Sequence, residues 1–226
     1  MTKRTLTIIA IDGPAGVGKT SVSKRIAEEL GYYFFSSGLI YRVIAWQLLK
    51  TGWHSNAGNV LEHLGNFALS IGEGGVVVLN ETPITADLHD EAISKAASEL
   101  SALIEIRTLS NQVQKDTVTR IEKEGTYPGV VLEGRDIGTV VFPDANRKIF
   151  LTASEKVRAE RRILERSEVA SEREKQAVQS AIRERDERDQ TRAIAPLKPA
   201  EDAHVIDTGS FTLEEVVQKV LGILKS

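Results

Sequence analysis

The chain has no cysteine among its 226 residues. That excludes a disulfide framework, thiolate metal sites and a cysteine nucleophile, and fits a reducing compartment. Its four histidines are scattered and show no metal-ligand spacing. Aromatic residues make up only 5% and methionine occurs once. No apolar run approaches the roughly 20 residues of a membrane span. The opening "MTKRTLTIIAIDG" is too short an apolar stretch for a secretory leader and Asp12 interrupts it, so it reads as a buried strand. A net charge of −3 gives no overall sign that would draw the chain to nucleic acid or to a membrane surface. A cytoplasmic protein of one domain carrying insertions is expected, with 41% hydrophobic residues to build a core.

Five short, β-rich apolar runs are present: Leu6–Ile11, Tyr32–Phe35, Gly129–Leu132, Lys148–Thr152 and His204–Ile206. They do not alternate strictly, which suits strands buried on both faces of a parallel sheet. Helical patterns lie between them. Lys19–Leu30 ends at Gly31, Ser154–Arg166 starts from a capping serine, and Leu213–Leu224 follows Thr212 with Glu214 and Glu215 in its first turn. The alternation predicts an α/β fold. Two segments exceed a minimal repeat. One holds a strand pair in "VVVLNETPIT" with "NET" as the turn, then a long helical stretch from about Ala92 to Glu124. The other, residues 154–192, carries nine Arg and two Lys against eight Glu and two Asp.

Gly13-Pro14-Ala15-Gly16-Val17-Gly18-Lys19-Thr20 fits G-x-x-x-x-G-K-[ST] between an expected strand and an expected helix. Its glycines let backbone N–H groups turn inward onto phosphates, and the helix N-terminus adds partial positive charge. Lys19 is placed to neutralise the β- and γ-phosphates, and the Thr20 hydroxyl to ligand Mg²⁺. The loop points to a nucleoside triphosphate. No guanine-reading N-K-x-D is present, and the small size with inserted segments favours a small-molecule kinase.

Two strand ends carry further candidates. "SSGLIYR" places Arg42 early on a helix at the carboxyl edge of the sheet, where open α/β sheets bind ligands. "LEGRDIGTVVFPDA" brings Arg135 and Asp136 out of an apolar strand between Gly134 and Gly138. Arginine forks match phosphate oxygens, and an aspartate accepts from an exocyclic amine. On the residues alone, a surface position for Arg42 and a structural ion pair for Arg135 and Asp136 remain open. Val178, Ala181, Ile182, Arg185, Asp189 and Arg192 fall on one helical stripe that starts apolar and ends in charge. Arg158, Arg161 and Arg162 sit on the preceding helix, placed to reach a nucleotide from the other side; a solvated charged hairpin is the alternative. Trp46, Trp53, Phe67 and Leu69 read as packing residues.

"IDGPAGVGKT", "SGLIYR", "EGRDIGTVVFPDA", "RERDERDQTRAIAPL" and "DAHVIDT", in this order, resemble the bacterial-type cytidylate kinase family from about Ile8 to Val217. The resemblance implies a P-loop NTPase three-layer α/β fold with a five-stranded parallel sheet. Its parts are a core (about 1–52, 125–153 and 193–226), a nucleoside-monophosphate-binding insertion (about 53–124) and a helical lid (about 154–192). It implies ATP- and Mg²⁺-dependent phosphorylation of CMP and dCMP by a cytoplasmic monomer, with no nucleic-acid or membrane partner. By position, Ser98, Arg107 and Asp136 face the cytosine, and Arg42 and Arg135 hold the acceptor phosphate beside Ser37. Arg185 and Asp189 hold the sugar and Arg192 reaches the phosphates. Lys19, Arg135, Arg162 and Arg192 form the catalytic set. The chain departs from the family pattern at Ser36, usually Asp, and at His89 and Lys115, where arginine is common.

Two readings compete with this one: a kinase of the same core acting on UMP, another deoxynucleotide or a non-nucleotide, and an ATP-binding module without transfer activity.

Overall fold

All five expected runs are strands of one parallel sheet: β1 (Thr7–Asp12), β2 (Tyr33–Ser36), β6 (Gly129–Gly134), β7 (Arg147–Thr152) and β8 (His204–Asp207). The computed structural model describes residues 6–53, 59–72, 75–84, 88–165 and 171–225. The sheet order is β2-β6-β1-β7-β8, with Ile9 opposite Val131 and Phe35 opposite Leu132. Every residue of β6 is buried, because helices cover both faces of the sheet, and that is why its sequence does not alternate. On one face, α1 (Lys19–Leu30) and α8 (Leu213–Lys225) pack Val22, Ile26, Val217 and Val220 onto Ile11, Val131 and Leu151. On the other, α2 (Ser37–Lys50) and α5 (Ile104–Glu124) pack Ile40, Ile44, Ile106 and Ile121 onto Ala10, Val130 and Leu132.

The helix ends follow their local chemistry. Gly31 takes φ 63°, and the Tyr32 N–H returns to the Ala27 carbonyl at 2.8 Å, which closes α1. Thr212 and Glu215 cap α8 reciprocally: the Thr212 N–H donates to Glu215 Oε2 at 2.8 Å and the Glu215 N–H to Thr212 Oγ1 at 3.3 Å. Ser154 caps the next-to-last expected helix, which runs as α6 (Glu155–Glu165); the expected end at Arg166 lies outside the described residues.

Between β2 and β6 the chain adds α3 (Val60–Leu64), a three-stranded antiparallel sheet and α4 (Glu91–Leu100) before α5. That sheet comprises β3 (Leu69–Ile71), β4 (Val77–Leu79) and β5 (Thr82–Pro83). The β4–β5 turn is Asn80–Glu81, both at positive φ, and Thr82 already belongs to β5. β3 is an addition to the expected pair. Phe67 and Leu69 pack against the small cluster of Val43, Val77, Leu79 and Leu88, and Trp46 and Trp53 pack against the main core. The expected single helix from Ala92 to Glu124 is two helices. Ser101 Oγ donates to the Ser98 carbonyl and competes with the helical ladder, and Leu103 is extended before α5 begins. α6 and α7 (Glu172–Thr191) pack against each other as a hairpin, and a Ser171–Glu174 capping box starts α7. The expected stripe on α7 needs one correction: Ala181 faces solvent, whereas Ile182, Asp186 and Asp189 are buried. Arg192 caps the helix rather than continuing it.

Candidate active site

The carboxyl ends of β1, β2 and β6 meet at one edge of the sheet, and each delivers charged or phosphate-reading groups there. After β1, Gly13–Thr20 wraps into the start of α1, with Gly13, Gly16 and Gly18 at φ 150°, 76° and 88°. A Cβ on Gly13 would stand 2.1 Å from the Leu151 carbonyl oxygen, so only glycine fits against β7. Lys19 Nζ donates to the Pro14 carbonyl at 2.7 Å and is buried. Burial, then repulsion from Arg135, pushes its pKa well down. A cation held that reluctantly gains from an anion. Thr20 stands at the exposed end of the loop, and its Oγ1 donates to Glu133 Oε1 at 2.8 Å. The same oxygen accepts from Ser36 Oγ at 2.6 Å.

A hydroxyl beside a carboxylate is the hard-oxygen donor set that suits Mg²⁺. Among the described residues no cluster of three or more His, Cys, Asp or Glu surrounds a metal position. Phosphate-bound Mg²⁺ needs no such cage, since it takes one or two ligands from protein and the rest from phosphates and water. Glu133 went unremarked in the sequence. Its signal is an acid at the end of a wholly apolar strand beside the phosphate loop.

Asp12, at the tip of β1, accepts from the Ile137 N–H at 2.9 Å and the Gly138 N–H at 2.8 Å. It thereby holds the π-helical turn Ile137–Val141 and turns Arg135 and Asp136 out at the end of β6. Burial raises the Asp12 pKa to about 6, partly offset by those two amides. The folded state therefore binds the proton more tightly than the unfolded chain. Its contribution to stability is complete below the unfolded value of 3.8 and is lost as pH rises through about 6. The stability of the wild type relative to Asp12→Asn should fall by about 3 kcal/mol between pH 4 and 7, measured by urea unfolding at stepped pH. A pH-independent difference would remove this account of Asp12.

Arg135 Nε donates to Asp189 Oδ2 at 2.9 Å, which joins β6 to α7. Asp136 is buried and meets two arginines. Arg107, buried on α5, donates from NH2 to Asp136 Oδ2 and from NH1 to the Ser101 carbonyl at 3.0 Å. Arg192 NH2 lies 4.0 Å from Asp136 Oδ1, and its NH1 lies 3.8 Å from Asp189 Oδ1. Ser98, buried on α4, accepts from Arg188 NH1 at 2.7 Å. Ser37 begins α2 so close to β6 that a Cβ on Gly134 would fall 2.6 Å from its hydroxyl.

Arg42 and Arg185 complete the cluster. Burial and then the charge of Arg135 lower both, Arg185 to about 10. Buried nitrogens without a hydrogen-bond partner include Arg42 Nε, Arg185 Nε and Arg192 NH2. Arg162 is exposed, and its charge contributes to depressing both Arg42 and Arg185. Lys19, Arg42, Arg135 and Arg185 thus crowd one place and repel one another. Such an arrangement is complementary to a multiply charged anion.

Every residue expected at the site falls within this connected set. Two neighbours serve otherwise than expected. Arg158 donates to the Ala153 carbonyl at 3.0 Å and the Ala15 carbonyl at 3.1 Å, and pairs with Asp186 of α7 at 2.5 Å. Arg161 donates to Thr208 Oγ1 at 2.8 Å and to its carbonyl at 2.6 Å. Both fasten loops.

A phosphate loop on a parallel sheet, facing a crowd of partly buried arginines, defines a P-loop phosphotransferase. A family model described as cytidylate kinase matches residues 9–226. The chain is 41% identical to the cytidylate kinase of Caldicellulosiruptor saccharolyticus over 94% of this chain and 93% of that one. It is 43% identical to the cytidylate kinase of Stutzerimonas stutzeri over 95% and 93%. A solved structure of an uncharacterized Eubacterium ventriosum protein matches the fold with TM-score 0.50 at 15% identity, over 98% of this chain and 99% of that one. The chain belongs to the cytidylate kinase family and is a nucleoside monophosphate kinase.

Proposed function

We propose that the chain transfers the γ-phosphoryl group of ATP to CMP or dCMP, giving ADP and CDP or dCDP, as a cytoplasmic monomer whose partners are these small molecules. The observation that carries this reading is the juxtaposition of the arginine crowd with the buried Ser98, Arg107 and Asp136. The relatives described above, both cytidylate kinases, agree with it.

Gly13–Thr20 takes the donor phosphates on its backbone amides. Thr20 and Glu133 are the residues to hold Mg²⁺, which when bound screens the donor's charge and aligns its oxygens. Arg42 and Arg135, beside Ser37, hold the acceptor phosphate. Arg185 and Asp189 take the sugar, and Ser98, Arg107 and Asp136 take the base. Lys19, Arg135, Arg162 and Arg192 spread over the charge that develops in transfer. Two dianions repel, so bringing them together demands this many cations and little water. The segment about 154–192 serves as the lid, about 53–124 as the acceptor-binding insertion, and about 1–52, 125–153 and 193–226 as the core. No described helix is long and apolar enough to cross a membrane.

An ADP-release assay with Mg²⁺–ATP against CMP, dCMP, UMP, AMP, GMP, shikimate and no acceptor tests the proposal. CMP and dCMP should lead every other acceptor by at least about tenfold, as a polar-group mismatch in a buried pocket requires. Turnover led by a different acceptor would overturn the base-pocket reading. ADP release independent of acceptor would overturn the kinase reading.

A further inference from the structure

Among the described residues three that are not glycine take a positive φ. Two of them, Asn80 and Glu81, make the tight β4–β5 turn, and the turn itself demands it. The third is Ala195, at φ 51°, and no hairpin explains it. Its Cβ makes the left-handed conformation unfavourable, and the ring of Pro196 pushes the residue before it toward extended backbone. Glycine would follow the same path without that cost. A strained residue persists where its surroundings overdetermine it, and such residues gather at functional sites.

The surroundings do so here. α7 ends at Thr191, Arg192 leaves it extended at ψ 139°, and the chain folds back over the helix end. The Leu197 N–H donates to the Asp189 carbonyl at 2.8 Å, and the Leu197 side chain is buried. Ala195 lies inside that reversal, and its carbonyl accepts from Arg192 Nε at 2.7 Å. The other two nitrogens of the guanidinium are held less closely. NH1 stands 3.8 Å from Asp189 Oδ1 and NH2 4.0 Å from Asp136 Oδ1, both beyond hydrogen-bond distance, and NH2 is buried without a hydrogen-bond partner. A guanidinium is planar and rigid, so fixing Nε restricts where the other two nitrogens point. A neutral carbonyl does this without bringing a negative charge to compete with an anion for the cation.

We infer that Ala195 is a positioning residue for phosphoryl transfer: its left-handed backbone aims the carbonyl that anchors Arg192 Nε and so orients the terminal nitrogens of Arg192 in the site. The inference rests on the catalytic reading of Arg192 above. It gives the Ala195 methyl no part, since the backbone conformation is what the site uses. Orientation set in advance acts on kcat, because the cation meets the charge that develops in transfer without first having to be ordered.

The test compares kcat and KM for CMP and ATP in wild type, Ala195→Gly, Ala195→Val, Arg192→Ala and the Arg192→Ala/Ala195→Val pair. A β-branched side chain resists positive φ, whereas glycine accepts it. Ala195→Val should lower kcat about 10- to 10²-fold, the scale of a misplaced catalytic group, with both KM values nearly unchanged. Ala195→Gly should keep most of the wild-type kcat. With Arg192 already removed, Ala195→Val should cost little more, because both changes act on one interaction. A second measurement needs no turnover: the Arg192 Nε–H proton signal, identified by its absence from Arg192→Ala, should exchange slowly with solvent in wild type and Ala195→Gly and fast in Ala195→Val. Equal losses in the glycine and valine variants would assign the effect to packing of the methyl and overturn the inference. So would an unchanged kcat in Ala195→Val, a valine loss that persists in full without Arg192, or fast exchange of the Nε–H in wild type. In each of these cases the catalytic reading of Arg192 survives. An Arg192→Ala enzyme as fast as wild type would overturn that reading, and the inference with it.

Discussion

Arg192→Ala should lower kcat by about 10³-fold or more, with little change in KM for either nucleotide. Arg192 reaches the site from the end of α7, held by a 2.7 Å donation from Nε to the Ala195 carbonyl. One of its terminal nitrogens is buried with no hydrogen-bond partner, and its pKa is lowered first by burial and then by Arg107. A buried cation with a spare donor is poorly satisfied before the reaction and well satisfied by negative charge that appears during it. That difference is what raises kcat rather than ground-state affinity. Steady-state kinetics with CMP and ATP varied independently measure it. A loss below tenfold, or one confined to KM, would remove Arg192 from the group acting in the transition state.

Arg107→Met should have two separable effects. The first is on stability. Removing one member of a buried ion pair leaves an uncompensated charge on Asp136, at a cost of about 3–5 kcal/mol. The 4.0 Å approach of Arg192 recovers part of it. The second is on acceptor use: kcat/KM for CMP should fall about 10²-fold, the worth of one to two charge-assisted hydrogen bonds, while KM for ATP hardly moves. Because the variant is destabilised, the pair Arg107→Met/Asp136→Leu supplies the control. Two apolar groups should restore much of the stability in urea unfolding without restoring CMP turnover. Equal losses for ATP and CMP would mean that Arg107 braces the fold and does not read the acceptor.

The parallel sheet was legible because burial on both faces writes itself as short uninterrupted apolar runs, and all five lie within two residues of their expected ends. The phosphate loop was legible because its conformation demands glycine and its chemistry demands lysine. The insertion was harder. Its β3 strand is three residues long, too short for a period of two to register. The break between α4 and α5 has no proline or glycine to mark it, and depends on a serine hydroxyl choosing a backbone carbonyl. Asp12 reads in the sequence only as a charge interrupting the opening apolar run, yet it supports a turn 125 residues away in sequence. Arg158 and Arg161 looked like nucleotide ligands because their sequence neighbourhood is crowded with charge. Only the fold shows that their forks already meet backbone carbonyls, the Asp186 carboxylate and the Thr208 hydroxyl. Charge patterning tells which segment carries cations, and tertiary structure tells which of those cations are free to act.

The bracket formed by Arg158 has a consequence for the energetics of binding. One guanidinium ties the carbonyl of Ala15, within the donor loop, to the carboxylate of Asp186 on α7. α7 in turn carries Asp189, Arg192 and the arginine that meets Ser98. In the proposed reading the donor and acceptor pockets therefore share a mechanical member, and filling one is expected to bias the other. Thermodynamic reciprocity then applies: whatever factor a bound donor adds to the affinity for the acceptor, a bound acceptor returns to the donor. Arg158 is the side chain that joins the two elements between which that coupling would act.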